Sequence, residues 1–263
     1  MQSSGRLFIV STPIGNLEDI TIRAIDTLKN VDSIACEDTR TSIVLLNKYS
    51  IKKPLISFHK YSKKEKSTEL IGYIKQGRDI ALITDAGTPG ISDPGAFLVR
   101  RALENGIKVI PIPGVSAVTC AISISGTGEK GFIFLGFMPS QKAEQKNTVK
   151  KYFTIGMPVV FYESPRRLLN TIGMIKDITG NNPLFVFKEL TKFYEESISG
   201  TIDDVIHRLK QSTVKGEYTV IVDCKESISN SGKQISDRKS IIEASSLLTG
   251  LDKREVYRRL FKK

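Results

Sequence analysis

The sequence is poor in cysteine and histidine, the residues that most often build disulfide frameworks and transition-metal sites. It has three cysteines in 263 residues, far apart and without a CxxC pair, and only two histidines, His59 and His207. Isolated cysteines of this kind are typical of small buried side chains rather than of disulfide partners or zinc ligands. We therefore expect no metal site, and the cysteine usage is typical of a cytoplasmic protein.

Long hydrophobic runs are also missing. No stretch approaches the roughly 18 apolar residues that span a bilayer, and residues 1–6 are polar and lead directly into a strand pattern, unlike a signal peptide. The overall content of 40% hydrophobic and 25% charged residues is ordinary for a globular protein. We predict no membrane association, and the length suits one large or two modest domains.

Negative charge is in short supply. The chain has 39 Lys and Arg against 28 Asp and Glu, a net charge of +11, with an isoelectric point near 9.5. A balance of this size favours a polyanionic partner such as nucleic acid, and it carries no information about the fold. A lysine-rich proteome would give the same balance, so charge alone leaves the partner open.

What the sequence does have is an unusual stretch at residues 85–95, DAGTPGISDPG. The apolar run at residues 80–83 before it predicts a buried strand, and the apolar spacing after it predicts a helix that ends at Asn105-Gly106. Asp93 occupies the position expected of a helix N-cap, with Pro94 as the first helical residue. A structural turn would explain a lone DxG, but so many glycines, prolines and aspartates at a strand end favour a ligand-binding loop.

Strands alternate with helices along the first half of the chain, which predicts a mainly parallel sheet. Four polar segments each follow a predicted strand: PIGN, EDTR, DAGTPG and PGVSA. Because the carboxyl ends of parallel strands meet at one edge, we expect these segments to lie together there.

The alternating pattern restarts after Gly128, which predicts a second α/β domain. We place the N-terminal domain at residues 1–118 and the C-terminal domain at residues 119–226, and a Ser/Gly/Asn-rich linker follows them. Residues 236–263 predict two helices with eight Lys and Arg against four acidic residues. This extension reads equally well as an ordinary helical hairpin or as a small basic RNA-binding appendage.

Several motifs together resemble one family: PIGNLEDITIRA, EDTR, DAGTPGISDPG, PGVSA, FLGFMP and YESPRR. The sequence is similar over residues 5 to about 225 to the ribosomal RNA small-subunit methyltransferase I family, within the tetrapyrrole methylase superfamily. The resemblance implies two α/β domains with S-adenosyl-L-methionine in the cleft between them and a small C-terminal helical extension. It also implies 2′-O-methylation of a cytidine in the decoding region of 16S rRNA, within the small ribosomal subunit, by a homodimer.

The resemblance also implies a set of cofactor-binding residues. In the first domain, it places the methionine part and ribose of the cofactor against Asp85, Ala86, Gly87, Ile91, Ser116 and Ala117. In the second domain, it places the adenosine against Tyr162, Leu190 and Thr219. A sulfonium cofactor with a zwitterionic amino acid needs an acidic loop, exposed backbone N–H groups and an apolar slot, which agrees with this placement. A nucleotide or a pterin in the same place remains physically possible.

Methylation of a weakly acidic hydroxyl benefits from a general base. Candidates at the expected cleft edge are Glu37, Asp38 and Glu163, with Glu189 and the amine of Lys188 as further possibilities. Each could instead form a salt bridge, Asp38 with Arg40 and Glu163 with Arg166. Our hypothesis is that the acidic residues of EDTR, with Arg23 and Arg40, position the substrate ribose and its phosphates.

Arg166 and Lys188 are further predicted RNA-binding residues. The rival function is a small-molecule methyltransferase acting on a tetrapyrrole, which shares the fold but has no evident use for the basic charge. A non-catalytic RNA-binding protein would explain the charge but not DAGTPGISDPG.

Overall fold

The structure, a computed structural model, describes residues 4–212, 214–224, 242, 245, 246 and 251–261. The chain divides into two compact units, residues 1–226 and 227–263. Among the described residues, no helix has both the length and the apolar character needed to cross a membrane.

The first half of unit 1 forms a five-stranded sheet in the order β3-β2-β4-β1-β5. Every pairing in it is parallel. Its strands are β1 Arg6–Val10, β2 Ser33–Cys36, β3 Leu55–Ser57, β4 Ile80–Leu82 and β5 Lys108–Ile112. The segments PIGN, EDTR, DAGTPG and PGVSA follow β1, β2, β4 and β5, so the prediction that they share one edge is confirmed.

Five helices belong to this half of the unit. They are α1 Ile22–Asn30, α2 Thr39–Lys48, α3 Lys63–Lys75, α4 Gly95–Glu104 and α5 Ala117–Ser125. The first four bury the two faces of the sheet in separate hydrophobic clusters, and the fifth packs in a third cluster. Helices α2 and α5 are absent from the sequence-based prediction. Both are rich in Thr, Ser, Val and Ile, which have modest helix propensity, so burial of an apolar side decides their conformation.

The second sheet is mixed and has the order β6-β7-β10-β8-β9. Only β6 and β7 run parallel, and the other neighbours are antiparallel. Its strands are β6 Ile133–Phe137, β7 Pro158–Glu163, β8 Pro183–Lys188, β9 Glu196–Thr201 and β10 Tyr218–Asp223. The helices of this half are α6 Lys142–Tyr152, α7 Pro165–Thr179 and α8 Ile202–Lys210, of which α8 had no sequence prediction.

The two faces of the second sheet belong to different cores because successive strand residues point to opposite sides. On β7, Val159 and Phe161 join a large cluster with α7 and α8. Val160 joins a smaller cluster with Val118 of α5 and with Ile14 from the loop after β1. This smaller cluster attaches the first sheet's carboxyl edge to the second sheet, and it forms the floor of the site described below.

In unit 2 the described helix is α9, Lys253–Phe261. The Asp252 carboxylate caps this helix, since it accepts hydrogen bonds from the amides of Arg254 and Glu255 at 2.6 and 3.2 Å. Glu255 pairs with the Arg259 side chain at 2.9 Å rather than with the cap. The first of the two helices predicted within residues 236–263 falls on a stretch of which only residues 242, 245 and 246 are described.

Candidate functional site

Backbone and side-chain bonds hold the loop after β4 against its neighbours. The amides and carbonyls of Thr12 and Gly87 bond to each other at 2.8 and 3.1 Å, and the Thr88 hydroxyl donates to the carbonyl of Val115 at 3.1 Å. Gly87 has a φ of +84°, a conformation that favours glycine. The loops after β1, β4 and β5 therefore form one fixed wall.

The far end of DAGTPGISDPG is organised by Asp93. Its carboxylate accepts from the amide of Gly90 at 2.9 Å and from the amide of Gly95 at 2.6 Å. The predicted assignment of Asp93 as N-cap and Pro94 as first helical residue is wrong by one position, since α4 begins at Gly95 with Pro94 as its cap. The shift arises because the Asp93 side chain also bonds back to Gly90 and closes the loop.

Between this wall and the carboxyl end of β7 lies a cavity of about 490 Å³. Eight of the nine residues predicted to bind the cofactor line it: Asp85, Ala86, Gly87, Ile91, Ser116, Ala117, Tyr162 and Thr219. The ninth, Leu190, is buried in the cluster beneath, with Ile14 and Phe187. A cavity of this size suits a ligand such as a nucleoside with a short side chain.

Two carboxyl groups in the cavity wall have unusual electrostatics. Burial raises the pKa of Asp85, whose Oδ1 accepts from the amide of Asp38 at 3.1 Å. Burial also raises the pKa of Glu37, and the negative charges of Asp85 and Asp93 add to that effect. Among the described residues, no lysine or arginine forms an ion pair with Glu37 or Asp85. A positively charged ligand would therefore stabilise the ionised form of both carboxyl groups.

Asp38 behaves differently, although it is the next residue after Glu37. Its carboxylate accepts from the Arg40 amide at 2.8 Å and from the Arg40 guanidinium at 2.7 Å. These bonds lower the pKa of Asp38 to about 2. The predicted salt bridge between Asp38 and Arg40 is confirmed; Asp38 caps α2 and is not part of the cavity lining.

Glu163 lines the cavity, but its carboxylate is buried and fully engaged. Oε1 accepts from the Ser164 amide at 2.7 Å and pairs with Arg167 at 2.6 Å, while Oε2 accepts from the Thr171 hydroxyl at 2.7 Å. The predicted partner, Arg166, is wrong, because Arg166 is exposed and Arg167 lies one helical turn from Glu163 on α7.

The other predicted residues lie outside the cavity lining. Lys188 pairs with Glu196 across β8 and β9 at 3.3 Å, and Arg23 is exposed on α1. Burial alone would raise the pKa of Glu189, but bonds from the Glu217 amide and from Lys192 outweigh it, so the pKa is lowered. Glu189 is thus committed to holding the segment before β10.

Sequence reasoning missed several lining residues, among them Gly216, Glu217 and Tyr218 at the start of β10. The rule applied to the sequence looks only at the carboxyl ends of strands. Because β10 is antiparallel to β7, its amino end meets the carboxyl end of β7. Phe137 was also missed, although it lies in the FLGFMP motif and ends β6.

Comparison with known proteins identifies the family to which this architecture belongs. The family model described as Tetrapyrrole (Corrin/Porphyrin) Methylases matches residues 6–206. The chain belongs to the tetrapyrrole methylase family. It is also similar to proteins named ribosomal RNA small subunit methyltransferase I. One, from Thermotoga maritima, is 45% identical over 222 residues, 84% of this chain and 100% of the relative. Another, from Bacillus subtilis, is 38% identical over 271 residues, 96% of this chain and 93% of the relative.

Solved structures of the same fold agree with this membership. Uroporphyrin-III-C-methyltransferase from Thermus thermophilus has a TM-score of 0.58 at 17% identity, covering 84% of this chain and 94% of that one. A diphthine synthase has a TM-score of 0.65 at 14% identity, covering 83% and 90%. The predictions of the family, the α/β fold class, the methyltransferase activity and S-adenosyl-L-methionine as methyl donor are confirmed.

The cavity fits this donor on its own chemistry. S-adenosyl-L-methionine carries a positive sulfonium and a positive ammonium, and the cavity offers the carboxyl groups of Glu37 and Asp85, with which no described lysine or arginine forms an ion pair. Gly87 presents backbone without a side chain to an approaching ligand, while Tyr162 and Ile91 supply apolar surface. Among the described residues, no cluster of three or more His, Cys, Asp or Glu side chains could hold a metal ion.

Proposed function

We propose that this enzyme methylates the 2′-hydroxyl of a cytidine in the decoding region of 16S rRNA, within the small ribosomal subunit. The observation that carries the proposal is the cavity at the first sheet's edge, with two carboxyl groups whose pKa is raised and with which no described lysine or arginine forms an ion pair. The name shared by the relatives supports ribosomal RNA of the small subunit as substrate. The family resemblance of the motifs supports the cytidine and the 2′ position.

The cofactor-binding roles follow the lining of the cavity. Asp85 holds the positive amino group of the donor, and the backbone of Ala86 and Gly87 holds its carboxylate and ribose. Ser116, Ala117 and Ile91 line the same wall, and Tyr162 and Thr219 enclose the adenosine from the second sheet, with Leu190 supporting them from below. S-adenosyl-L-methionine supplies an electrophilic methyl group on a sulfonium centre.

Glu37 is the general base of the proposal. Its carboxylate lies in the cavity wall and accepts the proton of the ribose hydroxyl as that oxygen becomes nucleophilic. A raised pKa brings a carboxylate closer to the pKa that makes a base effective at neutral pH. Asp38 and Glu163, the other predicted catalytic residues, act in the proposal as positioning residues because arginine and hydrogen-bond donors occupy their oxygens.

Exposed basic side chains near this edge bind the RNA backbone. Arg40 is held by Asp38 at the start of α2, and Arg166 directly follows Pro165, which lines the cavity. The predicted set also includes Arg23, exposed on α1, and Lys188, which is half-buried and paired with Glu196. We propose further, on the family resemblance, that the protein is a cytoplasmic homodimer with domains at residues 1–118 and 119–226 and an extension at 236–263.

The test is methyl transfer from labelled S-adenosyl-L-methionine into small ribosomal subunits that lack the modification, followed by nuclease digestion of the RNA. Label in 2′-O-methylcytidine is the expected result. Label in another nucleoside, or none in RNA despite tight donor binding, would overturn the proposal. Transfer to a tetrapyrrole in a parallel reaction would then identify the small-molecule alternative.

A further inference from the structure

Phe137 is an apolar ring left uncovered at the mouth of the cavity. It lines the cavity, and 59% of its surface is exposed. The other aromatic lining residues are covered, since Tyr162 is half-buried and Tyr218 is buried. Phe137 is therefore the exposed aromatic ring among the described residues of the lining.

The backbone on both sides of Phe137 is fixed. Gly136 is buried with a φ of +67°, and a Cβ there would lie 2.8 Å from the Ser92 hydroxyl oxygen. On the other side, the Met138 amide donates to the Tyr162 carbonyl at 3.2 Å, and its carbonyl accepts from Arg167 at 3.1 Å. The ring of Phe137 is thus exposed although these contacts hold its backbone in place.

A second contact fixes the orientation of the ring. Its centroid lies 5.3 Å from that of Tyr162, tilted by 59°, and Phe134 packs on Tyr162 with centroids 5.2 Å apart. The pairing of β6 with β7 shifts register between Phe134 and Phe137, so the strand bends just before the ring. Such irregularities re-aim a side chain at the end of a strand.

We propose that Phe137 is the surface on which the base of the target nucleotide stacks, which rests on the proposed function. The base is attached to C1′ of the ribose, next to the carbon that bears the reacting hydroxyl. When that hydroxyl reaches the cavity, the base lies at its mouth. Proteins that recognise unpaired nucleotides commonly receive the splayed base on an aromatic face.

The remaining rim is suited to the same ligand. Ile91, 41% exposed, lines the same cavity, so the lining offers exposed aliphatic as well as aromatic surface. The exposed Arg166 lies beyond Pro165 on the same rim. An aromatic face with a nearby cation matches a base and its phosphate.

The experiment measures methyl transfer by the full chain to small ribosomal subunits lacking the modification, together with the donor affinity by calorimetry. Phe137→Ala should raise the KM for subunits by roughly 5- to 150-fold, the range for loss of one stacked base, with the donor Kd within about twofold. Phe137→Trp should retain the wild-type KM, whereas Phe137→Leu should behave like Phe137→Ala because an aliphatic side chain offers no aromatic face.

The matched control is Phe193→Ala, which removes a ring that is 93% exposed and is not among the cavity residues. It should leave the KM unchanged. An unchanged KM in Phe137→Ala, full retention by Phe137→Leu, or a parallel loss of donor affinity would each overturn the stacking role while wild-type activity upholds the proposed function. Failure of the wild-type enzyme to methylate RNA would overturn both.

Discussion

Acidic residues of two adjacent loops have very different surroundings at the scale of single side chains. Glu37 and Asp85 face the cavity, where no lysine or arginine among the described residues forms an ion pair with them, and their pKa values are raised. Asp38 is paired with Arg40, and its pKa is lowered to about 2. Of these two neighbours in the EDTR motif, Glu37 is thus available for chemistry, whereas Asp38 caps a helix.

Asp85→Asn should weaken donor binding and leave the unliganded protein slightly more stable. A carboxyl with a raised folded pKa is less favourable as an anion in the folded state than in the unfolded state. Its charge therefore costs stability in full above that pKa; the cost shrinks as pH falls through it and is gone below the lower pKa of the unfolded state. Loss of a charged hydrogen-bond partner should weaken donor binding by about 10- to 100-fold.

Calorimetry with S-adenosyl-L-methionine and thermal unfolding without ligand, both at pH 7, measure these two effects. The asparagine keeps an Oδ1 that can accept from the Asp38 amide. A lower Tm of the unliganded variant, or undiminished donor affinity, would contradict the assignment.

Glu37→Gln should slow methyl transfer in a single turnover by roughly 10²- to 10⁴-fold, the usual contribution of a general base. The base works only when ionised, so wild-type activity should fall as pH drops through the pKa of Glu37. Because that pKa is raised, the acid limb should lie above the ordinary value of 4.5.

The glutamine variant should lack this limb, and Glu37→Asp should recover part of the rate. A wild-type single-turnover rate in Glu37→Gln would exclude the role.

EDTR predicted acidic chemistry after β2, but it did not distinguish Glu37 from Asp38. That distinction depends on where α2 begins, which the sequence pattern did not indicate. The choice of Arg166 as partner of Glu163 failed for a related reason. Only the start of α7 at Pro165 decides which arginine lies one turn from that carboxylate. The cofactor-binding roles of the lining residues stay a prediction.

At the scale of elements, one buried network connects the end of β7 to two helices. Glu163 accepts from Thr171 of α7, which in turn accepts from Gln145 of α6 at 2.9 Å. Arg167 bonds the carbonyls of Met138 and Pro139, in the segment between β6 and α6. The network therefore sets the position of the cavity wall contributed by the second sheet.

Arg167→Ala should destabilise the protein by about 3 kcal/mol or more, since it leaves the Glu163 carboxylate buried without its counter-charge. For a unit of this size each kcal/mol lowers Tm by roughly 2–4 °C. Arg166→Ala is the matched control, because that neighbour is exposed and should change stability by less than about 0.5 kcal/mol. Thermal unfolding of the two variants side by side measures this difference. Equal Tm values would contradict a supporting role of Arg167 for the Glu163 carboxylate.

The sequence predicted most strands and the long helices, because apolar spacing and Gly or Pro boundaries are local signals. It did not predict α2 and α5, which need burial against distant residues. It also did not predict α8, although a capping box between Thr201 and Asp204 is a local signal for the start of that helix. In the cavity, it indicated the loops after the parallel strands but not Gly216 and Glu217. Their place depends on the antiparallel pairing of β10 with β7, a contact between segments more than 50 residues apart.

At the scale of the whole molecule, part of the excess of positive charge forms a row of exposed lysines on one helix. Lys142, Lys146 and Lys150 recur every four residues on α6 and are exposed, while Gln145 and Val149 of the same helix are buried. Residues four apart share one face of a helix. This lysine row lies on the helix that the network anchors to the cavity wall.

Replacing the lysine row by glutamine should weaken binding to small ribosomal subunits and flatten its salt dependence. Each lost phosphate contact reduces the magnitude of the slope of log affinity against log salt by about 0.7 to 0.9. Loss of three contacts should therefore reduce the slope by roughly 2 to 3. The control variant replaces Lys29, Lys52 and Lys108, exposed lysines towards the amino edge of the first sheet. It has the same net charge, and equal slopes for both variants would show that only total charge matters.

The uncovered ring of Phe137 has a practical consequence, because the chain contains no tryptophan. Phe137→Trp would place a single indole at the mouth of the cavity, and excitation beyond the tyrosine band would address that one position. Its emission would change as the local polarity changes, so stopped-flow fluorescence could follow donor entry and substrate docking as separate phases. The order of ligand binding would then become observable in the unlabelled enzyme.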